Sequence, residues 1–326
     1  MIVTLTANPS IDRTVTLAEP LHRGAVHRAR GVAVHPGGKG VNVSRVVAAA
    51  GVPTVAVLPG NADDPLLRAL TEAGIAHRSV PTSGSARINL TVTEADGTTT
   101  KINEPGQPLT GDALRDLANL LAELAAQAAW VVLSGSLPPA VPTDWYVDLI
   151  RALPHARIAV DTSDAPLRAV ADGIGAAAPD LVKPNSEELA QLTGLDPAAL
   201  ADPLAAARAA AGLVDRGIGA VLATLGAAGA VLATAEGAWH ATAPAIRPRS
   251  TVGAGDAALA GYLLADLAGA APADRLRRAV AYGSAAAALP GTGLPGPHHT
   301  DPDAVAVGVT VVMAQKTTKF ACLVSG

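Results

Sequence analysis

Apolar and polar positions change period several times along the chain, and each change predicts an element. Ile2 to Leu5 is a short apolar strand running into the turn signal Asn8-Pro9. Arg87 to Asn103 alternates instead. Ile88, Leu90 and Val92 face one way, Arg87, Asn89 and Thr91 the other, and Asp96-Gly97 supplies a hairpin turn. Together with the β-rich stretch near residues 11–35, this predicts a small antiparallel sheet with one wet face, over about 11–35 and 87–105. From Trp130 onward the pattern becomes short apolar runs: Val131-Val132-Leu133, Ile158-Ala159-Val160, Leu181-Val182 and Val221-Leu222-Ala223. Each precedes a polar or glycine turn and then a helical period. That is the signature of right-handed βαβ units: a mostly parallel sheet with helices on both faces. Ligands in such sheets sit at the carboxyl ends of the strands, so function is to be sought at Ser134-Gly135-Ser136, Asp161, Lys183-Pro184-Asn185 and Thr224. Near the end, Val305, Val307, Val309 and Val311 alternate like a strand, while residues 314–326 match no period. The expectation is one α/β domain over residues 1–312 and a poorly anchored extension over 313–326.

Composition sharpens this picture. Hydrophobic residues make up 49% of the chain but aromatics only 2%, so the core must be tiled by Ala, Val and Leu. The net charge of −4 with interspersed signs, and the scarcity of stacking side chains, disfavour nucleic-acid binding. The single cysteine, Cys322, excludes an internal disulfide and a cysteine-based metal site. No basic region precedes an apolar stretch at the N-terminus, which fits a cytoplasmic protein. Residues 217–235 are uncharged and long enough to span a bilayer, but Thr224-Leu225-Gly226-Ala227-Ala228-Gly229 interrupts them. Two buried strands around a glycine-rich turn explain the segment better than a membrane span.

Two glycine motifs carry candidate chemistry. Ser250-Thr251-Val252-Gly253-Ala254-Gly255-Asp256 precedes a helix with Ala260, Leu263, Leu264 and Leu267 on one face. Free backbone amides at a helix start form an anion hole, and a carboxylate beside one suits a base next to a transferring phosphoryl group. Asp256 also suits the first helical turn by itself, so the motif alone leaves both readings open. A dinucleotide fingerprint over Gly253, Gly255 and Ala258 fails, because Arg247-Pro248-Arg249-Ser250 is no buried strand. The second motif, Gly37-Gly38-Lys39-Gly40-Val41-Asn42, precedes a helix with Val43, Val46, Val47 and Ala50 on one face and Gly51 as its stop. It is no Walker loop: Ala33 stands where the first glycine belongs, and Lys39 is followed by glycine. It reads as a solvated loop or as a second ligand loop with Lys39 and Asn42 as donors.

The two motifs, in this order and separation, resemble the two signatures of the PfkB carbohydrate kinases of the ribokinase-like fold. The resemblance runs from Leu5 to about Gly293. It is closest to the branch of 1-phosphofructokinases and tagatose-6-phosphate kinases, through Asn8-Pro9-Ser10-Ile11-Asp12, Arg87-Ile88-Asn89, Lys101-Ile102-Asn103-Glu104-Pro105-Gly106, Ser134-Gly135-Ser136-Leu137-Pro138 and Val182-Lys183-Pro184-Asn185-Ser186-Glu187-Glu188-Leu189. It implies a three-layer α/β/α core with a small β lid. It further implies ATP-dependent phosphorylation of a ketohexose phosphate: first fructose 1-phosphate, with tagatose 6-phosphate or fructose 6-phosphate as alternatives. By the same resemblance, Asp256 is the base, and Gly253, Ala254 and Gly255 form the anion hole. Asp12, Gly37, Gly38, Lys39, Asn42 and Ser136 hold the sugar. Arg87, Asn89 and Lys101 face its phosphate, for which an arginine fork is suited. Lys183, Asn185, Thr224, Gly226, Gly229 and Ser284 bind ATP, and Glu188 positions Mg²⁺ through water. The lid often pairs subunits in this family, which implies a homodimer.

Alternatives remain at individual positions: a surface arginine for Arg87, a helix cap for Asn185 and Glu188, and a plain hairpin turn for Thr224 to Gly229. Ala257 stands where the family commonly has serine, and His298-His299 lacks a third metal ligand. A catalytically silent sugar-phosphate-binding regulator on the same scaffold is the reading from a different class. Intact Asp256 and Glu188 weigh against it.

Overall fold

The computed structural model describes residues 1–311; the expected extension over 313–326 lies outside the described residues. The chain begins with strand β1 (Ile2–Thr6), β2 (Ser10–Thr16) and β3 (Gly31–Gly37), then helix α1 (Lys39–Ala49), β4 (Thr54–Pro59), α2 (Pro65–Glu72) and β5 (His77–Val80). The hairpin β6 (Arg87–Thr93) and β7 (Thr99–Asn103) follows, turning at Gly97 with φ 93°. The second half contains α3 (Gly111–Ala125), β8 (Trp130–Ser134), α4 (Trp145–Ala152), β9 (Ile158–Asp161), α5 (Asp164–Asp172), β10 (Leu181–Val182), α6 (Ser186–Thr193) and α7 (Pro203–Asp215). Strands β11 (Ala220–Thr224), β12 (Ala230–Thr234) and β13 (Gly237–Thr242) lead to α8 (Ala254–Leu267), α9 (Pro272–Ala288) and β14 (Ala306–Val311).

Ten strands form one sheet in the order β14-β13-β12-β11-β10-β9-β8-β1-β4-β5. The run from β11 to β5 is parallel, and the three pairs at the other edge are antiparallel. Helices α1, α2, α8 and α9 cover one face and α3 to α7 the other, so the central strands are buried on both sides. The expected run of strand-then-helix units stops at β11. Val221-Leu222-Ala223 leads through a 3₁₀ turn into the antiparallel β12, so Thr224 to Gly229 is a hairpin turn. The predicted last strand is β14, an edge strand paired with β13.

The lid is a four-stranded sheet in the order β3-β2-β6-β7. Two sequence expectations need correcting here. The central pair β2–β6 is parallel, not antiparallel. Both strands directly follow parallel strands of the main sheet, β1 and β5, and keep their direction. The solvent-facing side is also the apolar one. Val32, Val34, Ile88 and Ile102 share it and are 40–59% exposed. The polar side, with Ser10, Asp12, Thr14, Arg87 and Asn89, turns inward over the main sheet's strand ends.

At the opposite end of the main sheet, Asp266 staples four elements. Its carboxylate accepts from Trp130 Nε1 at 2.8 Å and Arg157 Nη1 at 2.7 Å, and it pairs with Arg275 Nη1 at 2.8 Å. Burial pushes its pKa up, but hydrogen bonds from Arg157 and Trp130 and the nearby Arg275 outweigh that and hold it below the usual carboxylate range. A depressed folded-state pKa stabilises above the unfolded value, and that contribution is lost as pH falls through the folded one. Asp266→Ala is therefore expected to cost about 3 kcal/mol at neutral pH, measured by urea unfolding, because it strands two arginines and the indole N–H. The difference from the parent should shrink in acid.

Candidate active site

Helices α1 and α8 lie side by side on one face of the sheet, which brings both glycine motifs together at the strand ends. Gly253 takes φ 74°, a left-handed turn natural to glycine, and so swings the chain into α8. The amides of Gly255 and Asp256 open that helix and have no carbonyl one turn back to bond. Asp256 is buried, and its Oδ2 accepts a 2.8 Å bond from Asn42 Nδ2. Lys39 Nζ lies 3.9 Å from Asp256 Oδ1 and 3.0 Å from Asp161 Oδ1. Lys183 Nζ lies 3.4 Å from Asp161 Oδ2. A Cβ added to Gly255 would sit 3.2 Å from the same Lys183 Nζ, so the lysine lies against the opening of α8.

These four charges shape one another. Asp161 has no solvent exposure. Burial pushes its pKa up, but Lys183 and Lys39 more than reverse this and hold it low. Burial likewise works to lower the Lys39 pKa, and Asp161 and Asp256 overcome it, keeping the ammonium charged well above the usual lysine range. Asp256 moves the other way. Burial and the negative Asp161 raise its pKa against the pull of Lys39, Asn42 and Lys183. A carboxylate made more basic than usual, next to cations and open amides, is equipped to take a proton from a hydroxyl while phosphoryl charge is steadied nearby.

The lid supplies the second wall. The Asp12 carboxylate lies directly over the Gly37 Cα, where any side chain would collide with it. Its Oδ1 accepts from Ser10 Oγ at 2.8 Å and from Asn89 Nδ2 at 3.1 Å. Arg87 donates from Nη1 to the Glu104 carbonyl at 3.0 Å, while its Nε is buried without a partner. The strand register places Arg87 beside Ser10, Asn89 beside Asp12, and Lys101 opposite Thr91 on the same face. Ser136 is exposed and its Oγ accepts from Asn8 Nδ2 at 3.3 Å. Other buried oxygens without partners, Thr6 Oγ1, Thr14 Oγ1, Asn89 Oδ1 and Ser134 Oγ, lie on the lid's inner face or at strand ends. Buried polar atoms are normally satisfied, so such a gathering marks surface shaped for a polar ligand or water.

Beside α8 lies a cavity of about 570 Å³, within the range of small-molecule sites. Thr224, Gly226, Gly229, Gly255 and Ser284 line it, and its other lining residues are small or apolar. Lys183 does not line it; it sits under Asp161 instead. Asn185 and Glu188 form a reciprocal capping box at the start of α6: Glu188 N donates to Asn185 Oδ1 and Asn185 N to Glu188 Oε2, both at 2.8 Å. The helix-cap reading of this pair is thus realised. Glu188 Oε1 remains for a ligand. Among the described residues no three His, Cys, Asp or Glu side chains cluster to hold a metal by themselves. One buried carboxylate suits Mg²⁺ that keeps most of its shell as water and nucleotide phosphate.

Three residues were missed at the level of the sequence. Asp161 stood only among the strand ends; its place at the carboxyl end of β9 was the signal. Arg45 and His35 lie near Asp12, with no sequence signal beyond proximity to the second glycine motif.

A model of the pfkB family carbohydrate kinases matches residues 5–299. A 1-phosphofructokinase of Xanthomonas campestris is 40% identical over 271 residues, 81% of this chain and 83% of that protein. A 1-phosphofructokinase of Escherichia coli K12 is 33% identical over 296 residues, 90% and 93% of the two chains. Among solved structures, phosphofructokinase-2 from Escherichia coli in complex with substrates and products superposes with TM-score 0.84 at 31% identity, covering 91% of this chain and 96% of that one.

The charge arrangement makes a prediction independent of turnover. In Asp161→Asn, Lys39 loses its nearest anion. A ¹³C-methyl-lysine NMR titration should show Lys39 deprotonating at lower pH than in the parent. An unchanged titration would mean that Asp161 does not hold it.

Proposed function

Because the chain belongs to the pfkB family of carbohydrate kinases, we propose that this sugar kinase transfers the γ-phosphoryl group of ATP to fructose 1-phosphate, giving fructose 1,6-bisphosphate. The observation that carries the reading is the juxtaposition of buried Asp256, with its raised pKa, and the open amides of α8 beneath a lid that presents Arg87. The names of the relatives at 33–40% identity favour fructose 1-phosphate over tagatose 6-phosphate or fructose 6-phosphate.

On this reading the sugar lies between the lid and the strand ends. Asp12 and Asn42 hold its hydroxyls, with Gly37 and Gly38 letting the backbone approach and Ser136 at the rim. Arg87, supported by Asn89 and Lys101, takes the phosphate already on the sugar. ATP occupies the cavity lined by Thr224, Gly226, Gly229 and Ser284, with its phosphates toward α8 and Asn185. Asp256 accepts the proton of the acceptor hydroxyl as its oxygen forms the new bond to phosphorus. The bond from that phosphorus to the bridging oxygen breaks, and ADP leaves with the electron pair. The amides of Gly255 and Asp256 at the start opened by Gly253 and Ala254, with Lys39 and Lys183, steady the charge on the transferring group. Mg²⁺, when bound near Glu188, neutralises nucleotide phosphate charge. A cytoplasmic setting, where both charged substrates occur, belongs to the same proposal. Among the described residues no helix is long and apolar enough to cross a membrane.

A second copy of the chain is proposed to cover the lid's outer face. Val32, Val34, Ile88 and Ile102 form one apolar patch there, and uncovered apolar patches mark association sites.

Steady-state assays with the three sugar phosphates decide the acceptor; the highest kcat/KM is expected with fructose 1-phosphate. Asp256→Asn should keep sugar-phosphate binding and lose roughly 10²–10⁴ in turnover. Arg87→Ala should chiefly raise the KM for the sugar phosphate; an equal rise for ATP would misplace Arg87. Light scattering is expected to give a dimer mass, and Ile102→Glu a monomer.

A further inference from the structure

Arg45 sits on α1 one turn beyond Asn42, half-buried beneath the lid. Its Nη1 donates to two acceptors, the Pro36 carbonyl at 3.2 Å and Asn42 Oδ1 at 3.4 Å. Asn42 passes the contact on, since its Nδ2 donates to Asp256 Oδ2 at 2.8 Å. The orientation of this amide follows from its neighbours' chemistry. A guanidinium only donates, and an ionised carboxylate only accepts. An amide held between them must turn its oxygen to Arg45 and its nitrogen to Asp256. Without Arg45 the carboxylate still calls for the nitrogen, but the side chain loses the second contact that holds it in this position.

The other acceptor of the same nitrogen gives the contact a second end. Pro36 belongs to β3 and pairs with Ile11 of β2 in the lid sheet, one residue from Asp12. A lid displaced from its seat would carry Pro36 away from Arg45. We infer that Arg45 is a positioning residue that ties the lid to the catalytic base, holding Asn42 with its nitrogen on Asp256 while the lid is seated. The inference rests on the reading of Asp256 as the base.

The surroundings allow this to be isolated. Asp12 and His35 of the lid face Arg45. Around Asp256 stand Lys39 from α1, Asp161 from β9 and Lys183 after β10, with Glu188 of α6 acting on Lys39. Substitution of Arg45 removes none of these. The Asn42 hydrogen bond favours the ionised form of Asp256, so its loss makes the carboxyl harder to ionise. The acid limb of the turnover profile then moves to higher pH. A residue that merely supported the fold would not move that limb.

The test compares the parent with Arg45→Met, Asn42→Ala, the double variant, Arg45→Lys and Asp256→Asn. kcat is measured across pH at saturating ATP and sugar phosphate, with thermal melts alongside. Each single neutral variant is expected to lower kcat about tenfold and shift the acid limb upward, leaving the KM for ATP unchanged. The double variant should lose clearly less than the product of the two single losses, because the Arg45–Asn42 contact is common to both. Arg45→Lys keeps a donor and should recover part of the loss; it carries the test if Arg45→Met melts early. Multiplying effects, or an unmoved acid limb with only the sugar-phosphate KM raised, would overturn the inference. Near-normal turnover in Asp256→Asn would instead overturn the assignment of the base on which it rests.

Discussion

The site is organised around one wholly buried anion, Asp161. A carboxylate without solvent contact is tolerated only where cations and hydrogen bonds replace water, and here two lysines do so. The consequence is geometric. Lys39 must open α1 at that spot, and Lys183 must leave β10 toward it. Asp256 then lies within reach of the same cations. Lys39 and Lys183 balance Asp161 and Asp256, so this cluster is close to neutral before any substrate phosphate arrives. Each charge is held by another on a different element, so the four are fixed in place in advance of binding, as preorganised electrostatic stabilisation requires.

The lid obeys a different constraint. Its inner face carries Ser10, Asp12, Asn89 and Arg87, some of whose polar atoms lack protein partners. Its outer face carries exposed valine and isoleucine. An ordinary half-buried sheet is patterned the other way, with apolar side chains on the core. The inversion follows from what each face meets. The inner face looks onto the strand ends of the main sheet and the glycine motif that opens α1, where Asp12 lies against Gly37, and not onto a packed apolar layer. Alternation is visible in the sequence of β6, but alternation alone does not say which face looks inward.

Much of the fold and part of the site were legible in the residues. The apolar runs at Val131, Ile158 and Leu181 became parallel strands, and the periods after Gly38 and Gly253 became α1 and α8. The hairpin at Asp96-Gly97 and the last strand also appeared where expected. Local periodicity fixes such elements because burial of one face is a local pattern. The direction of β2 against β6 was not legible, since it depends on which main-sheet strands those segments extend. The glycine-rich turn after β11 had two readings, since it serves either connection; the fold realised the two buried strands around it and not a strand-then-helix unit. The pair Asn185 and Glu188 had two readings, and the fold realised the helix cap while leaving one oxygen of Glu188 for a ligand.

By itself the sequence determined the fold class and the two helix starts with their glycines, and it singled out Asp256, the carboxylate proposed as the base. Those are properties of short segments, where propensity, period and backbone freedom act within a few residues. Only the tertiary structure decided that Asp161 anchors both lysines and that Lys183 lies against the start of α8, outside the cavity beside that helix. It also decided that Arg45 reaches Asn42 and the lid together. The contact of Lys39 with Asp161 joins residues 122 positions apart. Such a contact depends on where sheet order and helix packing bring the two side chains, and no local pattern of apolar and polar residues encodes that.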